Sequence, residues 1–558
     1  MRKIIFNDVS SQYRRSKKQQ LMNINLEIQD GELTLLAGSS GSGKSTLVLL
    51  LNGIIPHHTR ANITGTIDVF GKNPLEEPVL EMSHLVGMLL QDPDSQLATS
   101  QVKDEIILTL EFQGKNHEDI DRITDNLLEQ FDIQHLAESD STRMSGGEKQ
   151  LVALAAMMSL DPSIIILDEP TSNLDPMNTA RVLKHVQRFQ EEGRTVILIE
   201  HKMNEVFNYC PPDRIILIDN GKVLMHQEPK VIFDSPVIQD IGLKIPDVAN
   251  YIWKCGLPRR KNGSYPWSIA DFDDYIQDLD NQQLEQLRQA LKLPKRLNLV
   301  TNQQLLLFDN ATFTYRNQAR SAIENVSFSV NKGEFLAIIG NNGAGKSSLV
   351  KHVIGLNKPV LGTVMVDDTD SRELTAAKLA RNVSFLFQNP DNQLFASTVL
   401  KEVKYGPINC GMDKEEAEIR AKEAIEAVKL GAYMDQNPLK LSMGQKQRVA
   451  VASSLAMSPE IIVLDEPTTG QDPISLQGIM DLMFKEYEKK VTIIMVTHDM
   501  NLVDKVANRV IVMSDRKVID DGSTDAVFKK SDLLKKCNLE PPIRVQMQKI
   551  VEDYLKSN

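Results

Sequence analysis

Gly38-Ser39-Ser40-Gly41-Ser42-Gly43-Lys44-Ser45-Thr46 is the stretch that decides the fold of this chain, and it returns in the second half as Gly340-Asn341-Asn342-Gly343-Ala344-Gly345-Lys346-Ser347-Ser348. Both copies fit G-x-x-x-x-G-K-[ST], the spelling of a loop that wraps phosphate groups. Glycines let backbone N–H groups turn toward phosphate oxygens, the lysine adds a positive charge, and the next hydroxyl can reach Mg²⁺. We therefore expect a triphosphate site in each half, with Mg²⁺ held in part by Ser45 and Ser347.

The residues around the two loops support this interpretation. An apolar run precedes each copy, at 33–37 and 335–339, and another follows each, at 47–51 and 349–354. The pattern predicts a strand, a loop and a helix, with the helix N-terminus facing the anion. A glycine-rich turn without a ligand is the alternative for a single copy, and two copies in matching surroundings argue against it.

Matching residues continue along both halves. Four further pairs each lie 297 residues apart: Gln91 with Gln388, Ser145 with Ser442, Asp168 with Asp465, and His201 with His498. The two phosphate loops lie 302 residues apart, so the first half carries five extra residues before Gln91, which we place near Pro56–Asn62. A constant spacing over so many positions indicates a duplicated domain.

An aromatic residue stands at the same place ahead of each phosphate loop. Tyr13 lies 31 residues before Lys44, and Tyr315 lies 31 residues before Lys346. A tyrosine in a strand is most often a packing residue. The equal spacing favours stacking on a nucleotide base, which is worth about 1–3 kcal/mol in comparable contacts.

Two acidic residues end an apolar run in each half. Ile164–Leu167 leads into Asp168-Glu169, and Ile461–Leu464 leads into Asp465-Glu466. A continuous apolar run is typical of a buried parallel strand, and ligands bind at the C-terminal ends of such strands. We expect the first carboxylate to join the Mg²⁺ shell and the second to act as general base toward water. An acidic helix cap after a core strand is the alternative.

The composition is that of a soluble globular protein. The chain has 558 residues, 25% of them charged and 41% hydrophobic, with a net charge of −12. This length predicts two to four domains, and the acidic balance argues against a surface that coats nucleic acid. The sequence has no run of the ~18 apolar residues typical of a membrane span. Because its first residues also lack a signal-peptide stretch, we expect a cytoplasmic chain whose membrane work needs a partner.

The most specific motif follows the phosphate loop in each half. Met144-Ser145-Gly146-Gly147-Glu148-Lys149-Gln150 and Leu441-Ser442-Met443-Gly444-Gln445-Lys446-Gln447 resemble the signature motif of ABC ATPases. Glu148 and Met443 depart from the usual L-S-G-G-Q, while the serine and the later glycine are kept. The chain as a whole resembles an ABC-type ATPase with two fused nucleotide-binding domains. The implied fold class is α/β: two tandem P-loop NTPase domains, each with a mixed or parallel β core, an antiparallel β subdomain and a helical signature subdomain.

The resemblance also implies roles for individual residues. ATP at Lys44 would touch the signature of the other half, and ATP at Lys346 would touch that of the first, so that both sites are composite and active. The segments 173–175 and 470–472 resemble the loop that links the two sites. The implied catalytic residues are Glu169, Glu466, His201 and His498. The implied nucleotide contacts, beyond the phosphate loops, are Tyr13, Tyr315, Ser145, Gly147, Ser442, Gly444 and Gln445. The implied Mg²⁺ ligands are Ser45, Gln91, Asp168, Ser347, Gln388 and Asp465.

A second repeated pattern points to a branch of the family. Residues 91–97 and 388–394 share Q-x-P-D-x-Q-L, which resembles the glutamine loop of energy-coupling-factor (ECF) importers, and 243–246 and 539–542 resemble a short C-terminal extension of that branch. The implied partners are an integral-membrane scaffold subunit and a membrane subunit that binds a vitamin or a metal ion. The chain would lie at the cytoplasmic face of the membrane. We expect Asp94 and Asp391 either to approach a basic residue of the scaffold or to cap helices.

Four segments follow from these assignments: a first ATPase domain at 1–230, an extension and linker at 231–305, a second ATPase domain at 306–526 and a final extension at 527–558. The patterns also predict an edge strand at Lys3–Tyr13, a strand at Leu21–Ile28, a helix from Ser268 to Leu291 with a capping box at its start, and a last helix from Ile543.

Three other functions are alternatives for this sequence, and its residues argue against each of them. A soluble tandem ABC protein that acts on the ribosome would have a strongly basic linker, whereas residues 259–296 hold seven Lys or Arg against six Asp or Glu. A DNA-repair ATPase would carry zinc fingers or a long coiled coil between its motifs. A non-enzymatic adaptor is disfavoured by intact Glu169 and Glu466.

Overall fold

The computed structural model describes residues 2–14, 16, 18–39, 41–172, 174–292, 296–316, 320–468 and 473–557. The chain divides into two compact units, Met1–Leu287 and Arg288–Asn558. The finer four-part division at 230, 305 and 526 stays a prediction. Within the described residues, no helix combines the length and the apolar character needed to cross a membrane.

The first unit contains nine of the described strands: β1 Lys3–Tyr13, β2 Leu21–Gln29, β3 Leu33–Ala37, β4 Ala61–Val69, β5 Val86–Leu89, β6 Ile164–Asp168, β7 Thr195–Ile199, β8 Arg214–Asp219 and β9 Lys222–Gln227. Its described helices are α1 Lys44–Leu51, α2 Ile54–His57, α3 Val79–Ser83, α4 Val102–Phe112, α5 His117–Gln130, α6 Gly146–Met158, α7 Pro176–Glu191, α8 Met203–Tyr209, α9 Pro229–Phe233, α10 Val237–Ile241, α11 Asp247–Lys254, α12 Ile269–Tyr275 and α13 Asn281–Ala290, the last of which runs into the second unit.

The second unit contains the described strands β10 Gln304–Phe313, β11 Ile323–Asn331, β12 Phe335–Gly340, β13 Leu361–Val366, β14 Thr369–Asp370, β15 Val383–Leu386, β16 Ile461–Asp465, β17 Thr492–Val496, β18 Arg509–Ser514 and β19 Lys517–Ser523. Its described helices are α14 Lys346–Val353, α15 Ala376–Leu379, α16 Val399–Asn409, α17 Lys414–Ala427, α18 Met443–Ala456, α19 Pro473–Glu488, α20 Met500–Val506, α21 Thr524–Phe528, α22 Ser531–Lys536 and α23 Ile543–Ser557.

A six-stranded sheet forms the centre of each unit. The strand orders are β5-β6-β7-β3-β8-β9 and β15-β16-β17-β12-β18-β19, and all pairs are parallel except the last in each sheet. The apolar runs before the phosphate loops and the carboxylates form its inner strands, with helices covering both faces. Such strands lose apolar surface on both sides, which explains their unbroken hydrophobic sequence.

Two smaller parts complete each unit. Antiparallel sheets, β2-β1-β4 and β11-β10-β13-β14, lie beside the phosphate-loop helices. The helices α4, α5 and α6, and likewise α16, α17 and α18, pack on one another and carry the signature segments. The predicted fold class, two tandem α/β domains each with a mainly parallel core, an antiparallel subdomain and a helical signature subdomain, is confirmed.

Two local predictions are wrong in part. The strand at Lys3–Tyr13 exists, but it lies in the middle of its sheet, paired with both β2 and β4. Alternating burial reports one covered face and does not reveal how many neighbours a strand has. The helix predicted from Ser268 to Leu291 has its capping box at Ser268 and Asp271, but it ends at Tyr275 and a second helix begins at Asn281.

The C-terminal extensions attach to the helix that follows each predicted catalytic histidine. In the first unit, the Asp247 N–H donates to Asn204 Oδ1 at 2.7 Å, and in the second the Ile543 N–H donates to Asn501 Oδ1 at 2.8 Å. Both asparagines lie in the first turn of α8 or α20. The extension helices α11 and α23 are therefore tied to the helices next to His201 and His498.

The second unit adds a buried ionic cluster at this junction. Asp504, on α20, accepts hydrogen bonds from Arg544 Nε at 2.6 Å and from Arg296 Nη2 at 3.2 Å. The side chains of Asp504 and Arg544 are each 4% exposed, so the charges are neutralised by one another with little help from water. Arg296 also contacts Asp525 at 2.8 Å.

Removing this carboxylate should destabilise the second unit strongly. In Asp504→Ala the guanidinium groups of Arg296 and Arg544 stay buried but lose their carboxylate partner. This should lower the free energy of unfolding by about 3–5 kcal/mol. We expect the calorimetric transition of this unit to fall by at least about 6 °C. The control is Asp234→Ala, which removes the exposed pair between Asp234 and Arg259 and should cost less than about 1 kcal/mol. Equal shifts in the two variants would contradict a dominant role for the cluster.

Candidate functional site

The phosphate loops connect a buried strand to a helix in both units, as predicted. The lysine side chain of each loop is largely buried and bends back over it. Lys44 Nζ donates to the carbonyls of Gly38 and Ser39 at 2.9 and 3.0 Å, and Lys346 Nζ donates to those of Gly340 and Asn341 at 2.8 and 3.0 Å. Each ammonium group is therefore held against its loop by two backbone carbonyl groups.

Glycine is required at particular positions of these loops. Gly43 and Gly345 cap the helices with φ values of 110° and 95°, in the left-handed region. A Cβ atom would lie 2.8 Å from the Gln20 carbonyl oxygen at the first and 2.3 Å from that of Ala322 at the second. The residue just before β2 or β11 therefore fits closely against each loop, and no larger residue can replace the glycine without moving it.

The remaining loop residues differ in backbone conformation and in burial. Gly41 and Gly343 adopt positive φ, Ser42 and Ala344 are buried, and Asn342 is exposed. Ser39 Oγ donates to Asp219 Oδ1 at 2.6 Å, which anchors the first loop to the end of β8. Ser40 was also predicted to contact nucleotide, and it lies outside the described residues.

The predicted Mg²⁺ ligands meet beside the phosphate loops. Ser347 Oγ donates to Asp465 Oδ1 at 3.2 Å, and in the first unit Ser45 lies close enough to Asp168 to lower its pKa against the larger effect of burial. Burial and the charge of Glu466 raise the pKa of Asp465 to about 6, and burial raises the pKa of Asp168 above its usual value. A crowded pair of carboxylates with hydroxyl neighbours is a hard-oxygen donor set, which fits Mg²⁺.

The predicted catalytic pair is in contact in each unit. Glu169 Oε1 lies 3.3 Å from His201 Nε2, and Glu466 Oε2 lies 2.9 Å from His498 Nδ1. Burial alone would raise the pKa of Glu169, but its hydrogen bond to His201 and the charges of His201 and Lys44 bring the pKa below its usual value. The pKa of Glu466 is lowered in the same way, against burial, by His498 and Lys346. Both glutamates are therefore ionised at neutral pH and able to accept a proton.

The glutamine loop reaches the same place in the first unit. Gln91 follows β5, and its Nε2 donates to Glu169 Oε2 at 2.8 Å. Gln388 holds the equivalent position after β15 and is exposed. Gln91 therefore connects the first catalytic carboxylate to the segment 92–97.

Tyr13 and Tyr315 lie beside the first turn of the phosphate-loop helices. The Tyr13 hydroxyl is 3.1 Å from Thr46 Oγ1, and the Tyr315 hydroxyl is 3.2 Å from Ser348 Oγ. Their rings are half-buried at the edge of the site. These contacts position the rings close to the place where a nucleotide would extend from the loop.

The signature serines begin their helices. Ser145 and Ser442 are exposed N-caps of α6 and α18, each in a capping box with the residue three positions later, Glu148 or Gln445. Gly147 is buried and Gly444 is half-buried in the first turn. The Gln445 side chain, predicted to contact nucleotide, accepts the Ser442 N–H at 3.0 Å.

Of the two alternatives for Asp94 and Asp391, the one that makes them helix caps is wrong. Asp92 and Asn389 cap the short 3-10 helices Pro93–Ser95 and Pro390–Asn392 instead. Asp94 Oδ1 lies 2.5 Å from Lys149 Nζ, and Asp391 Oδ1 lies 2.6 Å from Lys446 Nζ. Each glutamine loop is thus joined to the signature helix of its own unit, and the identical spacing of these lysines in the two halves was the signal that could have revealed it.

Two further carboxylates escaped the sequence analysis. Glu105 accepts the N–H groups of Ala98 and Thr99 at 3.0 and 2.8 Å, and Glu402 accepts those of Phe395 and Ala396 at 2.9 and 2.6 Å. Both are buried and fasten the segment after each glutamine loop. Position 105 repeats at 402, so the repeat carried this signal too.

Comparison with known proteins shows similarity to ABC transporter ATP-binding proteins along both halves of the chain. The family model described as ABC transporter matches residues 21–172 and 323–469. A putative ABC transporter ATP-binding protein of Methanosarcina acetivorans is 34% identical, with 98% of this chain and 89% of that protein covered. A protein of the same description from Caldanaerobacter subterraneus subsp. tengcongensis is also 34% identical, with 98% and 96% covered. Among solved structures, CbiO1 from Clostridium perfringens, described as part of the ABC transporter complex CbiONQ, is 32% identical over 42% of this chain and 95% of its own, with a TM-score of 0.38.

The close fit of the second loop gives a direct test. Gly345→Ala should weaken ATP binding to the second unit by at least about tenfold, because its methyl group would displace the loop from the Ala322 carbonyl. The control is Gly411→Ala, where φ is 94° and a Cβ would meet nothing within 4 Å. Titration of a fluorescent ATP analogue measures both variants in a Lys44→Ala background, which silences the first loop. Equal affinity in the two variants would contradict the assigned role of Gly345.

Proposed function

The chain belongs to the family of ABC transporter ATP-binding proteins, and from this premise we propose that it is the ATP-hydrolysing motor of an ECF-type importer. It couples ATP binding and hydrolysis at two composite sites to the uptake of a vitamin or a metal ion through separate membrane subunits. It is an ABC ATPase with two cassettes, and its substrate is ATP with Mg²⁺.

The observation that carries the proposal is the intact set of catalytic groups in both units. Each glutamate is ionised, lies against a histidine and follows the strand whose aspartate faces the Mg²⁺ site. Glu169 and Glu466 orient water and take its proton, and His201 and His498 contact the γ-phosphate. Bound Mg²⁺ would neutralise charge on the transferring phosphoryl group, with ligands from Ser45, Gln91 and Asp168 or from Ser347, Gln388 and Asp465.

We propose that the sites are completed between the halves. In each unit the signature serine is an exposed helix cap, open to a partner surface. A serine hydroxyl and backbone N–H groups at a helix N-terminus are suited to bind an anion. Ser442 and Gly444 therefore serve ATP at Lys44, and Ser145 and Gly147 serve ATP at Lys346.

Coupling to a membrane partner is supported by an apolar groove in the first unit. A cavity of about 330 Å³ lies between the strand β5, the segment after Gln91 and the signature helix α6. Its lining includes Gln96, Leu97, Ala153, Ala156, Met157 and Leu160. Such a groove fits the apolar face of a helix from a membrane scaffold subunit.

The groove is joined to the catalytic centre by a short path. Gln91 holds Glu169 at one end of the glutamine loop, and Gln96, at the other end, accepts the Leu90 N–H at 3.0 Å and lines the groove. In the second unit, the exposed rings of Phe395 and Tyr405 pack edge to face at 4.7 Å beside the equivalent loop. Movement of these loops during closure would carry a docked helix with them. The chain then works at the cytoplasmic face of the membrane.

Separate loss of each glutamate tests whether both sites work. Glu169→Gln and Glu466→Gln each remove a base worth about 10²–10⁴ in rate at one site, so each should remove a substantial share of the steady-state turnover. The double variant should be inactive. Malachite-green measurement of phosphate release gives the rates, with ATP binding as the control for folding. If either single variant keeps the full rate, that site is not catalytic.

Filling the groove tests the membrane partner. Ala156→Phe places a ring in the cavity, and we expect it to lower recovery of membrane subunits with the tagged chain at least about tenfold, by removing a helix-binding surface. Ala290→Phe, at an exposed position in α13, is the matched control. Parallel sedimentation with ribosomes separates the importer from a translation factor: association with ribosomes and none with membranes would contradict the proposal.

A further inference from the structure

The residues on either side of the histidine differ between the two units. The first unit has Glu200-His201-Lys202, and the second has Thr497-His498-Asp499. The histidines themselves match, and each contacts the glutamate of its own unit, His201 through Nε2 and His498 through Nδ1. The difference therefore concerns what holds each histidine and not which group it contacts.

Glu200 is a buried carboxylate with a full set of donors. It is 2% exposed. Its Oε1 accepts the Thr171 N–H at 3.1 Å and also the Thr171 hydroxyl, while its Oε2 accepts the N–H groups of His201 and Lys202 at 2.7 and 3.2 Å. A carboxylate that accepts several N–H and O–H bonds in a buried place fixes the backbone that supplies them.

Lys202 joins the same two segments from the other side of His201. Its Nζ donates to the carbonyls of Thr171 and Leu174 at 2.8 and 3.2 Å and to Thr179 Oγ1 at 3.3 Å. These three acceptors use all three donors of an ammonium group. Thr171 and Leu174 belong to the segment that directly follows Glu169, so this segment and the histidine loop are held together by two charged side chains.

The second unit has no chemical equivalent at these positions. The Thr497 hydroxyl accepts the Asp499 N–H at 3.1 Å, and the Asp499 carboxylate accepts the Leu502 N–H at 2.9 Å, which caps α20. Neither side chain can supply an ammonium donor, and Asp499 carries the charge opposite to that of Lys202. Among the described residues, which leave out 469–472, the side chains on either side of His498 bond to their own loop and helix.

We propose that Glu200 and Lys202 are positioning residues that clamp the His201 loop to the segment after Glu169, so that the first ATP site is more rigidly organised than the second and hydrolyses ATP faster. The clamp fixes the distance between the histidine and the general base by holding backbone groups, including the His201 N–H, and not the two reacting side chains. Holding reacting groups in place lowers the barrier because the ordering is done before the reaction begins. The proposal rests on the catalytic roles proposed for Glu169 and His201.

The first test removes the clamp and measures turnover at one site at a time. In a Glu466→Gln background, where turnover reports the first site, Lys202→Met should lower kcat roughly tenfold while KM for ATP stays within about twofold. Lys202→Arg keeps a cation with several donors and should restore most of the rate. Lys115→Met, at an exposed lysine of the same unit, controls for the loss of a charge. In a Glu169→Gln background the loss from Lys202→Met should be clearly smaller.

The second test exchanges the flanking residues. The double variant Glu200→Thr/Lys202→Asp gives the first site the flanks of the second, and it should bring kcat of the Glu466→Gln protein close to that of Glu169→Gln. The proposal is overturned by an unchanged kcat in Lys202→Met, by equal losses in both backgrounds, or by a lowered melting temperature that Lys202→Arg does not correct. Full activity of both glutamate variants would instead overturn the catalytic assignments, so the two failures are distinguishable.

Discussion

The register between two parallel strands is the constraint on which each site depends. In the first unit Asp168 pairs with Ile199, and in the second Asp465 pairs with Val496. The Glu169 and Glu466 N–H groups extend this pairing by donating to the carbonyls of Ile199 and Val496 at 3.0 and 2.9 Å. The carboxylates and the histidines therefore leave the same edge of the sheet side by side. A slip of one residue would turn the carboxylates to the other face of the sheet, and it is resisted because it would bring charged groups into buried apolar surroundings.

Directly after this pairing, the backbone takes a costly shape. Glu169 and Glu466 have φ values of 49° and 50°, in the left-handed region, which costs a residue with a Cβ about 1–2 kcal/mol. Glycine would avoid the cost but would lack the carboxylate. The conformation turns the side chain back toward its histidine at the point where the strand must end. Strain at a residue with a functional side chain is tolerated because the surrounding sheet determines its position.

The sequence predicted the parts of the site that repeat between halves, since a repeat makes spacing meaningful. The phosphate loops, the carboxylate pairs and the histidines were found this way. The central position of Lys3–Tyr13 was missed because alternation reports burial and not neighbours. The ion pairs of Asp94 with Lys149 and of Asp391 with Lys446 were missed because they join segments 55 residues apart, which only the folded chain brings together. Glu200 and Lys202 were missed because they differ from their counterparts in the second half, and a search for repeated residues does not select positions that differ.

Such differences concentrate around the helix that follows each histidine. In the first unit, Phe207 on α8 packs with Phe233 and Trp267 at 5.6 and 5.7 Å, whereas the equivalent position of the second unit holds Asp504, which binds Arg296 and Arg544. An aromatic cluster tolerates small shifts because its attraction is non-directional, while a buried ionic cluster with fixed hydrogen bonds does not. Both arrangements hold an extension helix through an asparagine one turn from the histidine. In the first unit Glu200 and Lys202 join the histidine loop to the segment after the catalytic carboxylate, and in the second unit Asp504 joins the helix after the histidine to the extension. A duplicated motor can in this way keep two identical sets of reacting groups and still give its two sites different mechanical surroundings.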